Sequence, residues 1–288
     1  MKALFISLRP KQWGKNVVVF AGLIFARDIF HVEKVLSALV AFALFCAISS
    51  SGYLINDVLD KEKDSKHPKK RFRPIAAGAV STATAITIAV ILFLASSIAA
   101  FSLNSNFGVV LTSYFILTFL YSLYLKNIII VDVLIISCGF MFRVIGGTMA
   151  IRALSSSWLI ICTIFLALFF ALNKRKAEYL ALKESATSVR QTLGQYSEKF
   201  LDQMINTVST GCIIAYALYT LDPETVTKFA TRNLVFTLVF VIYGLFRYLY
   251  LVNNRSLGES PELVILADKP ILICITLYAV TVFLAIYV

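Results

Sequence analysis

The sequence predicts an all-α integral membrane protein with about nine transmembrane helices. Hydrophobic residues make up 59% of the 288 residues and charged residues only 15%, whereas a soluble domain is about 45–50% apolar and about a quarter charged. The apolar residues lie in long unbroken runs without β-barrel alternation, and a helix needs about 20 such residues to cross a bilayer. We therefore exclude soluble and disordered proteins and expect a single membrane-embedded domain over residues 1–288.

Nine apolar runs are candidate spans. They cover residues 16–31, 34–57, 80–101, 107–125, 128–149, 155–173, 203–221, 232–251 and 270–288, with boundaries uncertain by several residues. The first run is short, which is compatible with a tilted or partly interfacial helix. The long polar connections between these runs cover about 58–79, 174–202 and 252–269.

The distribution of Lys and Arg predicts the orientation. The net charge is +11, and because basic residues of membrane proteins collect in cytoplasmic loops, this charge does not indicate a nucleic-acid partner. With a cytoplasmic N-terminus, 21 of the 27 Lys and Arg residues fall on the cytoplasmic side and 5 on the opposite side. We expect a multi-pass protein of the inner (plasma) membrane whose three polar connections and active site face the cytoplasm.

An acidic cluster follows the second run. Asp57, Asp60 and Asp64 are spaced i, i+3 and i+7, so that on a helix their side chains share one face with Asn56. Acids at the end of an apolar span are costly unless positive charge lies among them. Because Mg²⁺ prefers hard oxygen ligands and bridges one or two carboxylates to a substrate phosphate, the pattern predicts a magnesium site formed by these four residues. The alternative is a solvated helix end whose acids pair with neighbouring lysines.

A basic segment comes directly after the acids. Its five cations and one histidine lie within nine residues and are Lys66, His67, Lys69, Lys70, Arg71 and Arg73. Topology alone accounts for two or three of these cations, and the remaining density indicates an anionic substrate with several phosphates. His67 precedes a proline, and we expect it to hydrogen-bond the loop rather than to act as a general base.

These residues resemble the UbiA-type intramembrane prenyltransferase superfamily. The pattern Asn56-Asp57-x-x-Asp60-x-x-x-Asp64 is similar to its first aspartate motif, and the segment 73–78 is similar to the residues that follow that motif. Several further stretches resemble the decaprenyl-phosphate phosphoribosyltransferase branch. They are residues 9–16, residues 64–78, Tyr121-Ser122 with Leu125-Lys126, Gly139-Phe140 with Arg143, and Lys174-Arg175 with Glu178.

The resemblance implies a ring of nine helices and a transferase that uses Mg²⁺. It implies transfer of the 5-phosphoribosyl group from phosphoribosyl diphosphate to a polyprenyl phosphate for cell-envelope glycan synthesis, with catalytic roles for Asp57, Asp60 and Asp64. The substrate-binding residues that pattern and resemblance together suggest are Lys15, Asn56, Lys66, Lys69, Arg71, Arg73, Tyr121, Lys126, Lys174, Arg175, Glu178 and Arg247. The roles of Asp132, Arg143 and Asp268 stay open, and an oligomer is compatible with the sequence.

The residues after the sixth predicted helix differ from those of the superfamily, and this difference helps to choose between two possible enzyme activities. Prenyl-transferring members have a second acidic motif after the sixth helix, where this chain has Lys174, Arg175 and Lys176. These cations suit a lipid phosphate, although positive-inside charge explains them equally well without the resemblance. The alternative enzyme is a prenyltransferase acting on an aromatic or other acceptor. A transporter is a third possibility, but one face is nearly free of charge, whereas alternating access needs openings on both sides.

Overall fold

The computed structural model describes residues 2–184, 193–255 and 261–288. Its contacts divide the chain into two compact units, Met1–Ser156 and Ser157–Val288. Every regular element in the described ranges is a helix, and eight of these helices are long and apolar enough to cross a membrane. The predicted all-α membrane class is confirmed, while the single membrane domain stays a prediction.

The first unit contains four candidate spans joined by short helices. Its α-helices are α1 (Lys2–Ser7), α2 (Ala21–Phe25), α3 (Val32–Leu59), α4 (Lys61–Ser65), α5 (Thr82–Leu103), α6 (Ser105–Leu123) and α7 (Val131–Ala150), with a 3-10 helix at Pro10–Phe20 and short 3-10 turns at Lys70–Phe72 and Leu125–Asn127. Side-chain caps set two starts: Ser81 accepts the Thr84 N–H, and Asn104 accepts the N–H groups at 106 and 107. Phe45 and Phe107 belong to the buried core where α3, α6 and α7 pack.

The second unit also contains four candidate spans. Its α-helices are α8 (Ser157–Glu184), α9 (Glu198–Leu221), α10 (Pro223–Phe229), α11 (Leu238–Arg255), α12 (Pro261–Ala267) and α13 (Lys269–Tyr287), with 3-10 turns at Leu193–Gln195 and Asn233–Thr237. The starts of α9, α10 and α13 have side-chain caps from Ser197, Asp222 and Asp268. Acceptor side chains of this kind satisfy the free N–H groups of a first helical turn.

Among the described residues, no α-helix of membrane-spanning length covers the first predicted span, 16–31. This run falls on an 11-residue 3-10 helix, Pro10–Phe20, and on the five residues of α2 that follow it. This N-terminal strap, residues 9–25, lies against α7 so closely that a Cβ at Gly147 would be 2.0 Å from the Val19 carbonyl oxygen. The apolar residues of the strap are therefore used partly for packing against α7, and the predicted count of nine spans is not confirmed.

The predicted connection 174–202 begins later than expected. The helix that was expected to end at residue 173 continues as α8 to Glu184, because Lys, Arg, Ala, Glu and Leu all favour helix. Lys174, Arg175 and Glu178 thus lie on a helix rather than in a loop. Residues 185–192 of this connection and residues 256–260 of the predicted connection 252–269 lie outside the described residues.

Candidate functional site

The three predicted acids lie around the end of α3. Asp57 is in the last turns of α3, Asp60 ends that helix, and Asp64 is in α4. The prediction of one continuous helical face is wrong, because the helix is interrupted at Asp60. The turn nevertheless brings Asp57 and Asp64 together, and both are nearly inaccessible, with 2% and 4% of their surface exposed. We call these three residues the acidic cluster.

Arg73 bridges two members of the acidic cluster. Its Nη1 atom donates to Asp57 Oδ1 at 3.0 Å and to Asp64 Oδ2 at 2.6 Å. The loop folds back to this position through the turn at Lys70–Phe72, and Ile75 anchors it in a core that includes Leu54. The predicted basic segment therefore contributes Arg73 directly to the acids. A guanidinium suits this place because it can donate to two carboxylates at once.

Lys126 holds the remaining acid. Its Nζ atom donates to both carboxylate oxygens of Asp60, at 2.8 and 3.0 Å. Lys126 lies in the 3-10 turn Leu125–Asn127 that follows α6, and 9% of its surface is exposed. The structure thus brings together a predicted acid and a predicted substrate-binding cation that are 66 residues apart in the sequence.

The other predicted substrate-binding residues of the first unit differ in their exposure. Lys66, Lys69 and Arg71 are exposed, and the Arg71 guanidinium lies 4.9 Å from the centre of the Phe72 ring. The half-buried members of the set are Lys15 on the strap, Asn56 on α3 and Tyr121 on α6.

His67 shapes the basic loop. Its Nδ1 atom accepts the backbone N–H groups of Lys69 and Lys70 at 3.1 and 3.2 Å. Partial burial of the ring, together with the charge of Lys70, lowers the pKa of His67 below its usual value. The imidazole is therefore neutral near pH 7, as an acceptor must be, and the predicted loop role is confirmed.

The acidic cluster fits a hard divalent ion in part. Within residues 2–184, 193–255 and 261–288 no three His, Cys, Asp or Glu side chains lie close enough together to hold a metal, so the predicted four-residue magnesium set is not assembled. Asp57 and Asp64 do converge on a single nitrogen of Arg73. Because Mg²⁺ commonly takes one or two carboxylates and completes its shell with water and substrate phosphate, these two buried carboxylates match its requirements.

Arg143 fastens the strap inside the membrane region of the first unit. The buried guanidinium donates to Asn16 Oδ1 at 2.6 Å, to the Gly139 carbonyl at 2.8 Å and to the Tyr114 hydroxyl at 2.7 Å. Arg143, whose role the sequence left open, thus takes part in a buried polar network with an amide, a backbone carbonyl and a hydroxyl. Asp132, whose role was open, is fully buried in the first turn of α7.

Two of the predicted cations of the second unit, Lys174 and Arg175, lie on α8, and Arg175 is buried. Arg175 donates to Glu178 at 2.5 Å, one helical turn away. Lys176, which the sequence analysis grouped with the cations that suit a lipid phosphate, contacts Asp202 on α9 and Asn253 on α11, each at 2.7 Å. Lys174 directly precedes these residues on α8 and is half-buried. The basic end of α8 is therefore an ordered cluster joined to two neighbouring helices.

Arg247 makes a structural contact. It donates to both oxygens of Asp268 at 3.2 and 2.9 Å, and Asp268 in turn accepts the Ile271 N–H at the start of α13. This arrangement ties α11 to α13. It gives Asp268 a role as a helix cap and uses two donors of Arg247, which was predicted to bind substrate.

Sequence analysis missed Arg9 as a site residue. Its Nη2 atom donates to Asp57 Oδ1, and the two residues are 48 positions apart. Two signals were available: residues 9–16 resemble the phosphoribosyltransferase branch, and acids at the end of an apolar span require a nearby cation. Neither signal indicates which of the 27 basic residues contacts which acid.

Comparison with known proteins identifies the family to which this arrangement belongs. The family model described as the UbiA prenyltransferase family matches residues 16–267. This chain belongs to the UbiA prenyltransferase family. The predicted resemblance is confirmed, and the protein is a multi-pass membrane transferase of that family.

Curated members of the UbiA family match nearly the whole chain. The decaprenyl-phosphate phosphoribosyltransferase of Mycolicibacterium smegmatis is 31% identical over 302 aligned residues, covering 100% of this chain and 93% of the relative. The enzyme of the same name from Mycobacterium tuberculosis is 32% identical over 269 residues, covering 91% and 87%. A UbiA homologue from Archaeoglobus fulgidus, solved bound to GPP and Mg²⁺, superposes with a TM-score of 0.73 at 19% identity over 99% of this chain and 100% of that one. At that identity the superposition shows the shared fold.

Proposed function

We propose that this protein transfers a 5-phosphoribosyl group from phosphoribosyl diphosphate to a polyprenyl phosphate and releases diphosphate. The main support is the pair of relatives at 31% and 32% identity that bear the name decaprenyl-phosphate phosphoribosyltransferase. A second support is the basic end of α8, where Lys174, Arg175 and Lys176 replace the acids expected of a prenyl-transferring enzyme.

The first unit is the proposed donor site. Asp57 and Asp64, with Asp60 beside them, would hold Mg²⁺, which when bound supplies positive charge to the leaving diphosphate. Arg73 and the exposed cations Lys66 and Lys69 would neutralise the donor's phosphates. As the bond from C1 of the ribose to the diphosphate lengthens, negative charge develops on the leaving group, and these fixed donors stabilise it.

The second unit is the proposed acceptor site. The polyprenyl chain would lie among apolar helices, and its phosphate would be held by Lys174 and Arg175. A phosphate oxygen is already anionic near neutral pH, so its attack on C1 requires no general base. This agrees with the acceptor role of His67 in its loop. Attack from the side opposite to the leaving group predicts inversion at C1.

The proposal includes the membrane location and orientation that the sequence predicts. The excess of Lys and Arg in the N-terminal segment and in the connections that follow α3 and α8 supports a plasma-membrane protein with its active site at the cytoplasmic side. Labelling of single cysteines introduced at exposed Lys66 and exposed Phe30 tests this orientation. A membrane-impermeant reagent applied to intact cells should modify the second position and not the first.

A direct assay tests the activity. Purified full-length protein in detergent receives Mg²⁺, labelled phosphoribosyl diphosphate and polyprenyl phosphates of several chain lengths, and we expect a labelled lipid product. The matched reaction contains a prenyl diphosphate and an aromatic acceptor. Turnover in the second reaction without lipid labelling in the first would replace the proposal with the prenyltransferase alternative.

A further inference from the structure

Arg9 is held in an unusual conformation beside the acidic cluster. Its backbone has φ 55° and ψ 57°, a left-handed conformation that residues other than glycine seldom adopt. The next residue is Pro10, which itself restricts the residue before it. The guanidinium lies 5.1 Å from the centre of the Tyr53 ring and donates to Asp57. Strained conformations of this kind persist only where the surrounding structure enforces them.

The rest of the strap supplies that enforcement. Trp13 donates to Ser50 on α3 at 3.0 Å, and Ser50 donates to the Leu8 carbonyl at 2.9 Å, directly before Arg9. Further along, Asn16 accepts from Arg143 on α7. These contacts fix the chain before and after Arg9 to α3 and α7. The position of the Arg9 guanidinium therefore follows from the fold rather than from a freely moving side chain.

Each carboxylate of the acidic cluster is contacted by a cation. The three cations that make these contacts are Arg9, Arg73 and Lys126. A divalent ion entering alone would add two positive charges beside these three cations, next to two carboxylates that are nearly closed to water, where uncompensated charge is costly. A divalent ion that arrives with a diphosphate brings compensating negative charge. A guanidinium released from a carboxylate can then donate to the phosphate oxygens.

We propose that Arg9 is the counter-ion that couples metal binding to anion binding. Its guanidinium leaves Asp57, which can then bind the metal, only when a diphosphate is present to accept hydrogen bonds from that guanidinium. This inference rests on the proposed magnesium–diphosphate site, and it adds a residue and an order of events to that site. It requires that removal of the Arg9 charge should have two opposite effects. Metal alone should bind more tightly, and the diphosphate-bearing donor should bind more weakly.

Thermal unfolding of the full-length protein in detergent measures the first effect. Wild-type protein should respond weakly to MgCl₂ alone and strongly to MgCl₂ with sodium pyrophosphate. In Arg9→Ala the Mg²⁺ concentration that gives half of the thermal shift should fall about fivefold, because an opposing charge beside the carboxylate has been removed. In the transfer assay the KM for the donor should rise about fivefold, because a charge-assisted donor to phosphate is lost.

Three matched variants separate charge from backbone effects. Arg9→Gly removes the charge and also relieves the left-handed backbone, so it should fold at least as well as Arg9→Ala and show the same two shifts. Arg9→Lys keeps the charge and should respond to Mg²⁺ as the wild type does. Lys11→Ala removes an exposed cation two residues away and should change neither quantity, which excludes a general effect of net charge.

The outcomes also distinguish this inference from the proposed function. Unchanged Mg²⁺ response in both uncharged variants, or a parallel loss of metal and donor affinity, would overturn the coupling while leaving phosphoribosyl transfer intact. A wild-type protein that responds equally to MgCl₂ with and without pyrophosphate would overturn it as well. If the enzyme transfers a prenyl group instead, the proposed function fails, but opposite shifts in the Arg9 variants would still support the coupling, since both donors carry a diphosphate.

Discussion

The ends of α3 and α8 carry opposite charges in corresponding positions of the two units. Each helix is the first of four candidate spans in its unit. The end of α3 presents the acidic cluster, and its partners are cations from the strap, the basic loop and the turn after α6. The end of α8 presents cations, whose partners are Glu178 on the same helix and Asp202 on α9.

The comparison shows how a membrane protein can keep several charges at the end of an apolar span. Asp57 and Asp64 at one end, and Arg175 and Lys176 at the other, each have an oppositely charged partner, because an unpaired charge in such a place is strongly destabilising. What differs is the source of the partners. At α3 they come from segments 9 to 66 residues distant in sequence, and at α8 the Arg175 partner is only three residues away. The α3 end is consequently the more dependent on tertiary structure.

The largest expected effect is at the acidic end. Asp57→Asn should lower phosphoribosyl transfer by about three orders of magnitude, because it removes a charged ligand that has no substitute and leaves Arg9 and Arg73 without their shared partner. The assay is formation of labelled lipid, with thermal unfolding as the check on folding. Glu62→Gln, a change to an exposed acid of α4, should be active. Retained turnover in Asp57→Asn would remove that residue from the metal site.

A smaller effect is expected at the basic end. Arg175→Ala should raise the KM for polyprenyl phosphate about tenfold, the loss of one charge-assisted hydrogen bond to a phosphate, and leave the KM for phosphoribosyl diphosphate unchanged. Arg175→Lys should restore part of the affinity, and exposed Lys199→Ala should have no effect. If the KM for phosphoribosyl diphosphate changed instead, the ends of α3 and α8 could no longer be assigned to different substrates.

Lys176 should affect stability rather than substrate binding. Lys176→Met breaks the contacts with Asp202 and Asn253 and should lower the free energy of unfolding by about 1–2 kcal/mol, with both KM values unchanged. Denaturation in detergent measures this loss. The double variant Lys176→Met, Asp202→Leu should recover part of it, since Asp202 is then no longer left without its cation. A rise in the lipid KM would instead place Lys176 in the acceptor site.

The smallest effect is expected in the basic loop. Neutral His67 accepts two backbone N–H groups, so its contribution to stability is present near pH 7 and is lost as the pH falls through its lowered pKa. His67→Ala removes that contribution at every pH. The difference in Tm between the wild type and His67→Ala should therefore shrink from pH 7.5 toward about pH 5, below the usual histidine pKa of about 6.5. A difference that grows in acid would contradict the acceptor role.

Apolar run length determined the membrane class and the later spans. The predicted runs 80–101 and 128–149 correspond to α5 and α7 within three residues at each end, because burying about 20 apolar residues in lipid requires no information from the rest of the chain. The prediction of a span over 16–31 used the same criterion, apolar run length, and no spanning α-helix is found there among the described residues. The residues of this run are apolar, but part of the strap packs on α7 at Gly147, a contact that only the folded chain reveals.

The sequence by itself determined which acids form the candidate site. Their identity and spacing are local properties of residues 56–64, and the neighbouring excess of cations is visible in the same stretch. Only the tertiary structure decided which cations meet them. Arg9 and Lys126 reach the acids across 48 and 66 residues, and the packing of the strap and of the turn after α6 fixes both contacts. Since charge attraction acts through space and not along the chain, spacing in the sequence could not identify these partners.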